Sequence, residues 1–214
     1  MNEHHLSVPR SARYFTVGAD PATARAIWFV LHGYGQLAER FLQRFAGGAD
    51  GQRSVVAPEG LSRFYLEGNA RDNVGASWMT REDRLTEIDD YVRYLDAVFA
   101  AVTHERRPPE GIHVLGFSQG STTACRWLTL GRAHADRLVL WGGEVPPDLD
   151  FARARERWKD TSLLLVVGND DHYITPRILA YQEQRLSEHG IAYRVEQFEG
   201  GHEIRTDVWE RIAR

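Results

Sequence analysis

Apolar residues in this chain gather into short strand-favouring runs at residues 26–31, 54–57, 112–115, 138–141, 163–167 and 193–198, and most are followed by a stretch with helical spacing. Strands that alternate with helices predict an α/β protein, with a mainly parallel twisted sheet covered by helices on both faces. Two further runs, 6–8 and 13–17, read as an extra hairpin at the start, and Pro9 confines the first of them to an edge or a turn. The clearest helix is predicted over 81–104, because Leu85, Ile88, Tyr91, Val92, Leu95, Val98, Phe99 and Val102 recur at helical spacing. Thr80-x-x-Asp83 opens it in the manner of a capping box, and Pro108-Pro109 lies beyond its end. A second helix is predicted over 176–189, with Thr175 as N-cap, Pro176 at the first helical position and Gly190 as the left-handed stop. Residues 144–150, with two prolines, read as a loop.

Composition narrows the class further. A length of 214 residues suits one domain spanning 1–214, and 43% hydrophobic with 26% charged residues is ordinary for a folded, soluble chain. The net charge of −4 leaves no basic footprint, so neither nucleic acid nor an anionic membrane is expected as a partner. No run approaches the roughly 18 apolar residues of a bilayer span, so no stable membrane anchor is expected. Cys125 is the single cysteine and excludes an internal disulfide, while the first six residues lack the basic and apolar regions of a signal peptide. Both point to the cytoplasm. No Cys, Asp or Glu set stands at ligand spacing with His4-His5, so no metal site is expected, and no sequence feature speaks for an oligomer.

The chemistry centres on Gly116-Phe117-Ser118-Gln119-Gly120, a G-x-S-x-G string between the apolar run 112–115 and the helix-compatible stretch 121–130. That strand–turn–helix setting lifts a serine hydroxyl above the sheet edge, and a side chain on either glycine would collide with the neighbouring strand or helix. A serine hydroxyl is a weak nucleophile near neutral pH and needs a histidine to take its proton and an acid to hold the imidazole. Of the histidines after Ser118, His202 alone lies in a loop that follows the last predicted strand, within Gly200-Gly201-His202-Glu203, and precedes a short helix starting near Thr206. For the acid, Asp170 and Asp171 both stand just past the carboxyl end of the run 163–167, where catalytic groups gather in open α/β sheets. The developing oxyanion needs backbone N–H donors, one from Gln119 after the nucleophile and one from an early loop, where Tyr34 sits within His32-Gly33-Tyr34-Gly35.

Substrate-facing residues are sought in the long connection 61–79. Phe64, Tyr65, Trp78 and Met79 either line a pocket or fill core beneath that connection. Tyr173, beside the acid, and Trp141, at a strand end, are further candidates. Cys125 reads as a small buried hydrophobe rather than a reactive thiol.

Together, His32-Gly33-Tyr34-Gly35, Ala57-Pro58-Glu59-Gly60, Gly75-Ala76-Ser77-Trp78, Gly116-Phe117-Ser118-Gln119-Gly120, Gly168-x-x-Asp171 and Gly201-His202 resemble the phospholipase/carboxylesterase family of small α/β-hydrolases. The resemblance implies a compact esterase without a large lid domain or a cofactor, with Ser118, Asp171 and His202 as triad and Tyr34 and Gln119 as oxyanion donors. It favours Asp171 over Asp170. It implies hydrolysis of a small carboxylic ester through an acyl-enzyme, with acyl-protein thioesterase or lysophospholipase as alternatives and a non-catalytic binding module as a reading of another class. The chain departs from the family at Gln36-Leu37-Ala38-Glu39, where an acidic or hydroxyl-bearing string is usual, at Ile174-Thr175-Pro176, and across 61–73. Those departures bear on the substrate more than on the chemistry.

Overall fold

The computed structural model describes residues 1–48, 51–67 and 73–214, so positions 68–72 of the predicted connection lie outside the described residues. In chain order the strands are β1 (Tyr14–Gly18), β2 (Ala26–Leu31), β3 (Arg53–Pro58), β4 (Ser62–Tyr65), β5 (Val74–Ser77), β6 (Ile112–Phe117), β7 (Arg137–Trp141), β8 (Ser162–Gly168) and β9 (Tyr193–Phe198). The helices are α1 (Ala38–Leu42), α2 (Arg84–Thr103), α3 (Gln119–Leu130), α4 (Phe151–Arg157), α5 (Pro176–Glu188) and α6 (Thr206–Ile212), with a 3₁₀ stretch, Gln43–Gly48, continuing α1. Seven strands form the main sheet in the order β1-β3-β2-β6-β7-β8-β9. Only β1 runs antiparallel to its neighbour there, while β4 and β5 pair apart as a small hairpin.

Burial on both faces explains why β2 is apolar at every position. Ile27, Phe29 and Leu31 enter a core shared with α2, α3, α4 and α5, whereas Ala26, Trp28 and Val30 enter a second core against α1 and α6. Burying one such side chain contributes about 2 kcal/mol, so the sheet centre is well fixed. Helix α5 follows its sequence signals: the Thr175 hydroxyl accepts the Ile178 N–H, Pro176 opens the helix and Gly190 beyond it has φ +66°.

Two expectations are corrected. Residues 6–8 form no strand, and Leu6 is 86% exposed, because β1 spends its hydrogen bonds on β3 instead of on a hairpin partner. Helix α2 begins at Arg84 rather than Arg81, and no capping box forms. Asp83 sits at φ 44° with no side-chain cap, and the Thr80 amide and hydroxyl donate to the Glu87 carboxylate instead.

The strand order locates the site. From β2 the chain steps to β3 on one side and later crosses to β6 on the other, so the loops leaving the carboxyl ends of β2 and β6 diverge. A crevice opens at such a switch point. The loops bordering it carry His32 to Gln36 and Ser118.

Candidate active site

Strand β6 ends at Phe117 and α3 starts at Gln119, leaving Ser118 alone to make the turn. It does so at φ 54° and ψ −118°, a conformation that costs a non-glycine residue on the order of 1–3 kcal/mol and persists only when its surroundings over-determine it. Here they do. The Ser118 N–H donates to Trp141 O on β7 at 2.9 Å, and the Ser118 carbonyl accepts the Ser121 N–H at 2.9 Å. The flanking glycines are required sterically. A Cβ on Gly116 would strike the Gly120 carbonyl in the first turn of α3, and one on Gly120 would strike the Leu31 carbonyl at the end of β2.

The two candidate acids separate cleanly. Asp171 is 5% exposed; its Oδ2 meets His202 Nδ1 at 2.8 Å, while its Oδ1 accepts the N–H groups of Tyr173 at 2.8 Å and Ile174 at 3.0 Å. Asp170 is exposed and joins in through its backbone, its N–H donating to Gly200 O at 2.9 Å. An ionised carboxylate only accepts, so the imidazole carries its proton on Nδ1 and keeps a lone pair on Nε2. The His202 ring is held between Phe117, at 4.8 Å between centroids, and Tyr173, at 4.6 Å. Gly142, at φ 54° after β7, stands against this pair, since a Cβ there would lie 3.1 Å from His202 Nδ1 and 3.2 Å from Asp171 Oδ2. Sequence reasoning missed Gly142, because the spacing along the chain does not show what crosses behind a loop.

On the β2 side, His32 is fully buried and fastens the early loop. Its Nδ1–H donates to Gly33 O at 2.8 Å, and its Nε2 accepts the Gly60 N–H at 2.9 Å. Burial pushes its pKa down to about 4 and keeps it neutral. The Gly33 N–H goes to Gln36 Oε1 at 2.8 Å and the Gly35 N–H to Ala76 O at 2.9 Å. Among the described residues the Tyr34 N–H between them has no acceptor. Gln119, as first residue of α3, has an N–H without an intrahelical partner. The early loop and the serine adjoin: a methyl on Gly33 would stand 3.2 Å from Ser118 Cβ.

Of the expected pocket residues, Trp78 belongs to the core. It is 2% exposed, stacks on His32 at 4.9 Å, and donates its indole N–H to His32 O at 2.8 Å. Trp141 is likewise buried, its indole N–H donating to Glu203 O at 2.8 Å. Phe64 packs on the Tyr34 ring at 5.1 Å, whereas Tyr65, next along β4, projects from the opposite face, as strand alternation requires. Tyr173 is 69% exposed beside His202. Met79 is half-buried, and its carbonyl accepts a 2.9 Å hydrogen bond from Gln119 Nε2, while Gln119 Oε1 accepts the Trp78 N–H at 3.2 Å. This tether by the Gln119 side chain was not foreseen from the motif, which speaks only for its backbone.

Near His5 the fold adds a neighbour that spacing along the chain does not show. Glu3 and Asp83 each place a carboxylate oxygen 3.2 Å from His5 Nε2, Asp83 arriving through the fold; all three residues are exposed. Among the described residues, no helix is long and apolar enough to cross a membrane.

The Phospholipase/Carboxylesterase family profile matches residues 13–214. No curated protein sequence is significantly similar to the chain. Several solved structures share its fold. Esterase PE8 superposes with a TM-score of 0.69 at 19% identity, covering 95% of this chain and 98% of that one. Zea mays acyl-protein thioesterase 2 gives 0.71 at 16% identity, covering 94% and 96%. The Bacillus cereus carboxylesterase gives 0.65 at 17% identity, covering 94% and 91%.

Proposed function

The chain belongs to the phospholipase/carboxylesterase family, and from that premise we propose that it hydrolyses small carboxylic esters through a covalent intermediate on Ser118. The observation that carries this reading is the 2.8 Å contact between Asp171 and His202, whose ring packs at 4.8 Å on Phe117, the residue before a serine held at positive φ on a strand-to-helix turn. In the first step His202 Nε2 takes the Ser118 proton as Oγ bonds to the ester carbonyl carbon. The oxyanion that forms accepts the N–H groups of Tyr34 and Gln119, which are preorganised and need no reorientation. Asp171 holds the imidazole tautomer and stabilises the imidazolium. The intermediate collapses as His202 returns its proton to the leaving alcohol, giving the acyl-enzyme. Water, deprotonated by the same histidine, then attacks the acyl carbon, and Ser118 leaves with the proton.

The test is Ser118→Ala. It removes turnover of 4-nitrophenyl butyrate by about 10⁴-fold or more with the circular dichroism spectrum unchanged, and it abolishes labelling by a fluorophosphonate probe. Unchanged turnover in the folded variant overturns the proposal. The likeness to the Zea mays acyl-protein thioesterase supplies a second reading, thioester hydrolysis by the same groups. Comparing oxygen esters with thioesters of equal acyl length separates the two.

A further inference from the structure

Beside the early loop lies a cavity of about 200 Å³ whose walls include Gln36, Arg40, Phe41, Arg44, Leu66 and Val74. Two packing relations place it near the reacting groups. Gly33 separates Gln36 from the nucleophile, and a Cβ built on that glycine would lie 3.2 Å from both Gln36 Oε1 and Ser118 Cβ. Phe41 stacks on Phe117 at 6.0 Å, and Phe117 in turn packs on the His202 ring at 4.8 Å.

Among the described residues the positive charge in this cavity has no carboxylate partner. Arg40 and Arg44 stand four residues apart across the junction of α1 and the 3₁₀ stretch, and both line the same space. Guanidinium groups stay protonated, and like charges at this spacing destabilise a helical segment. Among the described residues neither arginine has a carboxylate within 4.0 Å, although the chain as a whole carries a net charge of −4. By contrast, Glu59 just behind α1 is already matched by Arg13 at 2.7 Å. Two exposed cations beside a cleft also lined by Gln36, Leu37, Phe41, Leu66 and Val74 suit an anion brought in by a ligand, and the guanidinium fork suits a carboxylate or a phosphate. The pair follows Gln36-Leu37-Ala38-Glu39, Arg40 directly, and that is the segment in which this chain departs from its family's usual acidic or hydroxyl-bearing string.

We propose that Arg40 and Arg44 form an anion subsite adjoining Ser118, so that the preferred substrates are esters carrying a negatively charged group on the acyl or the alcohol side. The inference rests on the reaction proposed above and names its substrate class. The subsite acts through binding: it lowers KM for charged esters and touches no reacting atom.

Two matched pairs of esters test it: 4-nitrophenyl hydrogen adipate against 4-nitrophenyl hexanoate for an acyl-side anion, and 3-carboxyphenyl butyrate against phenyl butyrate for an alcohol-side one. In the parent protein at least one of the two charged-to-neutral ratios of kcat/KM falls as sodium chloride is raised from about 20 to 500 mM. In the double variant Arg40→Gln, Arg44→Gln that ratio drops by about three- to tenfold, through KM, and loses its salt dependence. Ratios that are the same with and without the arginines, in protein that hydrolyses both esters through Ser118, overturn the subsite and leave the reaction standing. A parent protein that hydrolyses none of the four esters overturns the reaction, and the subsite with it.

Discussion

Asp171 and Tyr34 both flank the crevice, and they are held in opposite ways. Asp171 is 5% exposed, and its two oxygens already serve two backbone N–H groups and an imidazole. Around it Gly142, Phe117 and Tyr173 leave His202 little freedom to turn. Tyr34 is 60% exposed, and among the described residues its ring rests on no aromatic but Phe64 and its N–H has no acceptor. One wall is saturated with internal bonds; the other keeps donors and cations without a partner among the described residues. Under the proposed reaction the over-determined wall fixes the reacting atoms, which chemistry needs to a fraction of an ångström, and the open wall leaves groups for a ligand.

The sharpest way to break this contrast is to unbalance the saturated wall. Asp171→Asn keeps the shape but exchanges an acceptor-only carboxylate for an amide, which lets the imidazole adopt the wrong tautomer. The expected fall in kcat/KM for 4-nitrophenyl butyrate is about 10³- to 10⁴-fold, while Asp170→Asn, on the exposed neighbour, changes it less than about twofold. Equal losses at the two positions would remove the distinction drawn between them.

A smaller effect concerns the one buried histidine of the open wall. Solvent exclusion pushes the His32 pKa down to about 4, whereas in the unfolded chain it returns to about 6.5. Between those values the unfolded state binds the proton and the folded state does not. Stability from this group is therefore fully present above pH 6.5 and is lost as pH falls to about 4, by on the order of 3 kcal/mol. His113, whose pKa burial likewise lowers to about 4, acts in the same direction from the amino end of β6. Urea unfolding at pH 7.5 and pH 4.5 measures the loss, and His32→Gln, which carries no titrating group, reduces it and leaves the share of His113. A pH slope identical in that variant would show that His32 does not contribute.

The same contrast explains what was legible in the sequence. Strands β2, β3, β6, β7 and β8 were visible because apolar runs are the direct trace of a sheet buried on both faces, and the strand–turn–helix context of Ser118 followed from them. His202 could be singled out by its loop alone. Asp171 could not be separated from Asp170 without its family likeness, since what distinguishes them is which one turns inward, a tertiary fact. Trp78 carried no mark that told a pocket wall from core; its burial depends on the His32 carbonyl, 46 residues away, as its hydrogen-bond partner. The failed capping box at Thr80 has a similar cause, for Glu87 competes for the hydroxyl from one helical turn further on. Nothing in the spacing announced that Arg40 and Arg44 would share a cavity with Leu66 and Val74, because β4 and β5 are brought there by the backbone pairing of Gln36 with Ala76.

The smallest expected effect is the most discriminating for the open wall. Tyr34→Ala leaves the residue's N–H in place and removes only the ring that rests on Phe64. If Tyr34 serves the reaction through its backbone and the substrate through its ring, kcat stays within about twofold of the parent value while KM rises by about two- to threefold, the worth of one exposed aromatic contact. A fall in kcat at constant KM would mean instead that the ring holds the loop in register for the oxyanion. In that case the open wall would share the rigidity of the Asp171 side, and the division of labour between the two walls would fail at its least constrained residue.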